Sequence, residues 1–319
     1  MPPDTLAIFR ALADQTRLRI FHLLRAMELS IGELAQVLGQ SQPRVSRHVK
    51  ILADAGLAER RKEGSWVFLG LGEDKCVAPL FAAIDDWARD GDDAWVVADR
   101  ARLAAVRADR AAAAARYFAE HAEEWDAIRS LHVPESAVEQ RILALLADMP
   151  VDRMVDIGTG TGRMIELVGR RAGSVLGIDR SPEMLRLARV KIAEAGFDHA
   201  ELRQGDMYAL PLGDGSADLV ILHQVLHFAQ HPAAAIAESA RLLPPGGRLL
   251  IVDFASHDLE DLRTRDAHVR LGFADEQISG WFQAAGLGLD RIEELVGDAL
   301  TVKLWLGVRG RRAQLKAIS

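Results

Sequence analysis

Val155-Asp156-Ile157-Gly158-Thr159-Gly160-Thr161-Gly162-Arg163 decides the fold of this 319-residue chain. Its first part reads as a buried strand, its middle as a glycine loop, and a helical pattern runs on from Arg163 to Arg171. Three glycines at alternate positions leave no side chain between the backbone and an incoming ligand, so main-chain N–H groups can touch it. Two carboxylates follow at informative places. Asp179 ends the next apolar run, Val175-Leu176-Gly177-Ile178, where it can accept both hydroxyls of a ribose. Asp206 follows the run after that, with Met207 beside it, where a carboxylate suits an exocyclic amine such as adenine N6. The spacing is G-x-G-x-G, and Arg163 stands where a dinucleotide fingerprint needs its third glycine.

Strands and helices alternate around that loop. Helices are expected at 135–146, 163–171, 182–195, 233–242 and 276–285, and strands at 153–157, 175–178, 200–204, 219–222 and 248–253. Repeated strand–helix units predict a parallel, doubly wound sheet with its ligand at the carboxyl ends of the strands. Two last strand-like runs, 289–295 and 300–308, meet at Gly297-Asp298 and predict an antiparallel edge hairpin.

The first ninety residues follow a different logic. Asp14 is placed to cap a helix carrying Leu18, Ile20, Phe21 and Leu24, and Ser30 with Glu33 makes a capping box for a short helix ending at Gly39. Ser41 opens another helix that runs to about Ala55. Val45, Val49 and Leu52 repeat at helical spacing and should face inward. Ser41, Gln42, Arg44, Ser46, Arg47 and Lys50 are then left on the outer faces. Helix, glycine turn and helix make a helix-turn-helix, whose long donors and small hydroxyls suit a DNA major groove. Such a face is otherwise an ordinary solvated one. The next segment favours the groove: 57–62 and 65–71 flank Glu63-Gly64 as a hairpin, with Arg60, Arg61 and Lys62 at its tip to lie along phosphates. Cys76, Leu80, Ile84 and Trp87 form an apolar stripe on a further helix.

Gly91-Asp92-Asp93 breaks the pattern, and 94–129 contains neither Pro nor Gly. Alanine and arginine dominate there, which predicts one long helix or two stacked ones. The organisation expected is therefore 1–90, a connector 91–130, and 131–319. Tyr117, Phe118, His121 and Trp125 cluster near the connector's end, either packing on the second domain or covering its ligand.

Charge supports the division. The whole chain is −7, yet residues 1–75 carry 11 Lys/Arg against 9 Asp/Glu, a net of +2. Local basic excess on an acidic chain points to a polyanion partner. No run approaches the roughly 18 uncharged apolar residues of a membrane span. Met1-Pro2-Pro3-Asp4 lacks a basic-then-apolar leader, so the expected place is the cytoplasm. One cysteine, Cys76, excludes a disulfide framework and a multi-thiolate metal site.

Two resemblances rest on these residues. ALADQTRLRI (11–20), SQPRVSRHVKIL (41–52) and AGL (55–57) resemble the ArsR/SmtB family of dimeric winged-helix repressors, and the resemblance implies a dimer helix where the Cys76–Trp87 stripe otherwise reads as core. Arsenic sensors of that family carry a cysteine pair where this chain has Ser30 and Gly32, and the zinc sensors' last-helix histidine is missing from 77–89, so no metal is expected. VDIGTGTGR (155–163), GIDRSPEML (177–185), QGDMYALPLGDGSADLVILHQVLHF (204–228) and PPGGRLLIVDF (244–254) resemble the class I S-adenosylmethionine-dependent methyltransferases, especially those of quinone biosynthesis. This second resemblance implies Asp156 near the methionine amine and Gly158, Thr159, Gly160 and Gly162 around the ligand. It likewise implies Asp179 and Arg180 at the ribose, Asp206 and Met207 at the adenine, and His223 or Gln224 near the sulfonium.

Methyl transfer from a sulfonium needs in-line approach more than acid–base help. His223 is the first candidate for a base. His223, His227 and His231, spaced by four, suggest a helical face after the fourth strand, with His257, Asp258 and His268 beyond the fifth; they read as polar lining of an acceptor pocket before they read as a metal site. The absence of cysteine after residue 76 excludes thiolate-dependent arsenite methylation. His223-Gln224-Val225-Leu226 stands in the place of the Asn/Asp-Pro-Pro-aromatic motif of DNA amino-methylases, which argues against DNA as methyl acceptor. Two functions stay open. One is a homodimeric regulator, of repressor type, that senses S-adenosylmethionine or S-adenosylhomocysteine, with methionine-cycle genes as its natural targets. The other is a small-molecule methyltransferase that autoregulates its own gene through the attached helix-turn-helix.

Overall fold

The computed structural model describes residues 5–63, 66–72, 74–87, 93–122, 134–197 and 199–310. Contacts divide the chain into two units, with the boundary between Ala113 and Ala114.

The first unit holds α1 (Thr5–Leu12), α2 (Gln15–Ala26), β1 (Leu29–Ser30), α3 (Ile31–Leu38), α4 (Gln42–Asp54), β2 (Ala58–Glu63), β3 (Trp66–Leu71), α5 (Asp74–Trp87) and the start of α6 (Ala94–His121). Its caps are those the sequence predicts. Asp14 accepts the Arg17 N–H at 3.0 Å, and Ser30 and Glu33 close a reciprocal capping box. Gly39 takes φ +65°, the left-handed turn that lets α4 start in a new direction. β1, β3 and β2 form an antiparallel three-stranded sheet in that order. Ile20, Phe21, Leu34, Val45, Val49, Leu52 and Leu57 are buried together. Helices α3 and α4 with the β2–β3 hairpin make a winged helix-turn-helix. On α5 the buried residues are Val77 and Phe81, the latter stacked on Phe21 at 4.2 Å. Leu80 and Ile84 pack only partly, and Trp87 is 75% exposed, so the expected Cys76–Trp87 stripe is rotated away from the core.

In the first unit α6 is fixed by Asp99, buried and gripped by Arg19 through two hydrogen bonds of 2.7 and 2.6 Å. Its far end belongs to the second unit. There Tyr117 and Ala122 pack with Met184, while Phe118 meets Phe228 edge-on at 4.8 Å. Trp125 lies outside the described residues.

The second unit continues with α7 (Glu135–Leu145), β4 (Arg153–Ile157), α8 (Arg163–Val168), β5 (Ser174–Asp179), α9 (Pro182–Glu194), β6 (Ala200–Gln204) and β7 (Leu219–His223). After these come α10 (Pro232–Arg241), β8 (Arg248–Phe254), α11 (Asp261–Arg265), α12 (Asp275–Ala284), β9 (Leu287–Val296) and β10 (Thr301–Arg309). The sheet order is β6-β5-β4-β7-β8-β10-β9, parallel from β6 to β8. β10 runs antiparallel between β8 and β9, so the expected terminal hairpin lies at the sheet edge with β9 outermost. Apolar layers cover both faces of the sheet. β4 lies between β5 and β7, so the winding reverses at its carboxyl end, which is where such sheets open a ligand crevice.

The expected helical face of histidines is not there. His223 ends β7, His227 sits in a single 3-10 turn, and His231 precedes α10. A spacing of four is helical only within a continuous helix, and Gln224 breaks this one with φ +47°.

Candidate functional site

The glycine loop fills the crevice beyond β4. Gly158, Gly160 and Gly162 all take positive φ (+71°, +53° and +88°). The Gly158 and Thr159 N–H groups both donate to the Ile178 carbonyl, at 2.7 and 3.0 Å, folding the loop onto the end of β5. The Thr159 hydroxyl donates to Asp156 at 2.7 Å. Asp156 itself is 1% exposed at the end of β4. One Asp179 oxygen accepts the Gly160 N–H and the other the Ser181 N–H, each at 2.8 Å. The loop and the carboxylate at the neighbouring strand end are thus in direct contact.

Burial raises the Asp179 carboxyl above its ordinary range, and the N–H groups of Ser181, Gly160 and Arg180 oppose that rise. Because the folded form favours the proton, this group's stability contribution is full below its unfolded pKa and is lost as pH rises through the folded value. A ligand that donates hydroxyls to the ionised form offsets that loss.

At Gly158 an added Cβ would lie 2.3 Å from Val225 Cγ2, and at Gly177 one would meet Leu202, Ile165 and Thr159 within 3 Å. Gly158→Ala should therefore lower folding stability by ~2–4 kcal/mol, from left-handed backbone plus overpacking. Denaturant unfolding checks this, and an alanine variant as stable as its parent would contradict the loop geometry.

The remaining expected ligand residues spread out. His223 is buried at the crevice side of β7. Met207 is half-buried against the apolar layer over β7 and β8. Asp206 is exposed, with one oxygen accepting the Tyr208 N–H at 3.1 Å, and the Arg180 side chain is exposed. An unpredicted feature lies beside His223. Asp253, fully buried at the end of β8, accepts the His227 ring Nδ1–H at 2.8 Å. The sequence shows both residues and gives no sign that they meet, since His227 comes from the turn after β7 and Asp253 from β8.

On the first unit the α4 face is as expected. Ser41, Gln42, Arg44, Arg47 and Lys50 are exposed and Ser46 half-buried, over a floor of Val45, Val49 and Leu52. Among the described residues Arg44, Arg47, Lys50, Arg60 and Lys62 are in no ion pair. Arg61 differs from expectation: Glu28 holds its guanidinium at 3.1 and 2.8 Å, because Arg61 on β2 is opposite Phe68 of β3, which in turn is opposite Ser30 of β1, just after Glu28. Among the described residues no group of three metal-ligating side chains is assembled, and no helix is long and apolar enough to cross a membrane.

A winged helix that presents donors is followed in the chain by a doubly wound domain with a nucleotide-type loop. Comparison with known families gives both halves. Residues 14–60 match the bacterial regulatory protein, arsR family, and residues 155–251 match a methyltransferase domain. The chain carries an arsR-family helix-turn-helix and, behind it, a methyltransferase domain. An arsenite methyltransferase of Halobacterium salinarum is 33% identical over 113 residues, 34% of this chain and 29% of that protein. A demethylmenaquinone methyltransferase of Tropheryma whipplei is 34% identical over 104 residues, 33% of this chain and 42% of that protein. An uncharacterized 37.1 kDa protein in transposon TN4556 of Streptomyces fradiae is 35% identical over 136 residues, 40% of this chain and 39% of that one. The chain spans about half or less of the length of these curated relatives. Among solved structures, the N-methyltransferase NodS of Bradyrhizobium japonicum, in complex with S-adenosyl-l-homocysteine, is 19% identical with a TM-score of 0.47, covering 56% of this chain and 88% of that one.

The cofactor of the second domain is S-adenosylmethionine, with S-adenosylhomocysteine as its demethylated form. The donor set fits it. A buried carboxylate, Asp156, lies near the end of β4, a second carboxylate, Asp179, ends β5, and the glycine loop follows β4 and bonds to the second, a donor set able to take an ammonium and hydroxyls.

Proposed function

We propose that this chain is a DNA-binding transcriptional regulator, of repressor type, whose methyltransferase domain binds S-adenosylmethionine or S-adenosylhomocysteine and reports it to the DNA-binding face. The observation that carries the proposal is the unpaired donor face of α4 in the same chain as a loop-and-carboxylate cleft. Arg44, Arg47 and Lys50 remain available to a polyanion, with Arg60 and Lys62 beside them on the wing. In the cleft Asp156 holds the ligand's ammonium, Asp179 its ribose, and the loop from Gly158 to Gly162 its backbone-facing edge. Asp206 and Met207 border the adenine. A homodimer reads two half-sites one helical turn apart.

For the nucleoside to regulate, it must bind the DNA-competent and DNA-incompetent forms with different affinity, and couplings of this kind run to ~5–150-fold. Gel shifts on the DNA upstream of the gene should therefore move by such a factor on adding S-adenosylhomocysteine or S-adenosylmethionine. Identical binding in every lane removes the sensor half of the proposal. α6 supplies the route, because Asp99 anchors it in the first unit and Tyr117 in the second. Three glycines inserted after Ala113 should leave both binding activities intact and abolish their coupling.

A second reading, favoured by the buried His227–Asp253 pair, is that the domain also transfers the methyl group to a small molecule. Transfer of label from the cofactor to a metabolite in cell extract tests it. Arsenite is disfavoured as acceptor. Thiolates are the ligands suited to such a soft centre, and the one cysteine, Cys76, lies in the other unit on α5.

A further inference from the structure

Tyr117 and Phe118, which by sequence either pack on the second domain or cover its ligand, are adjacent at the end of α6 and reach opposite sides of the glycine loop. Tyr117, 8% exposed, packs in one cluster with Met184 and Leu187 of α9, the helix that follows β5. Its hydroxyl donates to Asp266, in the segment that follows β8, at 3.4 Å. Phe118 meets Phe228, in the turn that follows β7, at 4.8 Å between ring centroids. The sheet runs β5-β4-β7-β8 in this region. An element resting on the segments beyond β5, β7 and β8 therefore crosses the carboxyl end of β4, where the glycine loop lies.

Short contacts tie both supports to that loop. On the β5 side the Gly160 and Ser181 N–H groups share Asp179, and the Ser181 hydroxyl accepts the Met184 N–H at 3.2 Å. On the β7 side an added Cβ at Gly158 would lie 2.3 Å from Val225, whose carbonyl accepts the Phe228 N–H at 3.1 Å. The loop itself is not sealed. Gly158, Gly160 and Asp179 keep partial exposure, so its backbone stays accessible to a ligand.

The aromatic cluster stands apart from the core. Tyr117, Ala122 and Met184 form a buried group separate from both apolar layers of the sheet. Ala267, packed against it, holds φ +54°, a backbone state that persists where the surroundings enforce it and that concentrates at ligand clamps. The rings are also set in advance: Tyr117 stacks on His121 at 4.4 Å and meets Phe118 edge-on at 5.8 Å. Burial, with the Asp266 carboxylate, pushes the Tyr117 hydroxyl up to about 12, so it stays neutral. Two uncharged rings offer apolar area that suits a sugar–sulfur midsection better than a charged amino-acid end.

We propose that Tyr117 and Phe118 roof the nucleoside cleft, contacting the ribose–sulfur midsection of the bound S-adenosyl compound and slowing its departure. This inference rests on the S-adenosyl reading above. It assigns the end of α6 to the binding site, so the helix that carries Asp99 near its start touches the ligand at its other end.

The test uses the full-length chain and S-adenosylhomocysteine. Calorimetry comes first: a chain that does not bind the nucleoside removes the parent reading and this inference with it. Where it binds, hydrogen exchange of the parental protein gives the direct readout. With the nucleoside at about 100 times its Kd, the amides of residues 117–121 should exchange about 100-fold more slowly, because an opening that breaks the contact must first release the ligand. The amides of β9, at the outer edge of the sheet, should change less. Stopped-flow dissociation adds the variants. Phe118→Ala should shorten the residence time by about tenfold, the upper end of what one aromatic contact contributes, and leave the association rate near its parental value. Tyr117→Ala should act in the same direction, and Tyr117→Phe, which keeps the ring, should recover most of the loss. Bound nucleoside with no added protection at 117–121 beyond that at β9, or a Phe118→Ala chain that releases it at the parental rate, would each overturn the assignment.

Discussion

Asp179→Ala is expected to abolish measurable binding of S-adenosylhomocysteine, by two orders of magnitude or more in Kd. A carboxylate that accepts two ribose hydroxyls makes two charge-assisted hydrogen bonds, each contributing ~1.5–3 kcal/mol. The substitution also removes the acceptor that ties the Gly160 and Ser181 N–H groups together, so the loop loses its tether to β5. The binding has a pH signature of its own. Since burial lifts the Asp179 carboxyl above the ordinary range, affinity should fall on acidification sooner than for an exposed aspartate, as the protonated acid loses its acceptor capacity. Calorimetry across acidic to neutral pH reads this directly. An Asp179→Ala protein that still binds the nucleoside, or a pH-independent affinity, would remove the site as drawn.

The second large effect is expected on DNA. Arg44→Ala with Arg47→Ala, both exposed on α4, should weaken operator binding by about 100-fold or more, since a bidentate arginine–base contact contributes ~1–3 kcal/mol. Wing substitutions should act differently. Arg60→Ala and Lys62→Ala should lower affinity on all sequences alike and each reduce the salt slope by about one. Arg61→Ala should have the smaller effect of the three, because Glu28 already occupies its guanidinium. Filter binding over a range of salt separates these cases. A double α4 variant with parental affinity would mean that this helix does not enter the groove.

The parts legible in the sequence were those fixed by short-range chemistry. The caps at Asp14, Ser30 and Gly39 depend on residues three or four positions apart, and each stands where the spacing put it. β4 and β5 were readable because buried parallel strands are continuous apolar runs, and the glycine loop because alternate glycines have few other uses. What escaped was long-range or directional. Nothing local says that Glu28 will take Arg61, or that α5 will turn Val77 and Phe81 inward and leave Trp87 outside. The four-residue spacing of His223, His227 and His231 imitated a helix because periodicity cannot show the backbone break at Gln224. The His227–Asp253 pair joins residues 26 positions apart through the β7–β8 neighbour relation, which only the strand order supplies.

The hydrogen bonds within the glycine loop bear on how a ligand is received. Two of its N–H groups are already taken by the Ile178 carbonyl and a third by Asp179. A receptor that holds its own shape spends little entropy in setting it, so the nucleoside finds a mould rather than a flexible strap. Association should then be rapid and single-phase, and differences among adenosyl analogues should appear in how long each one stays.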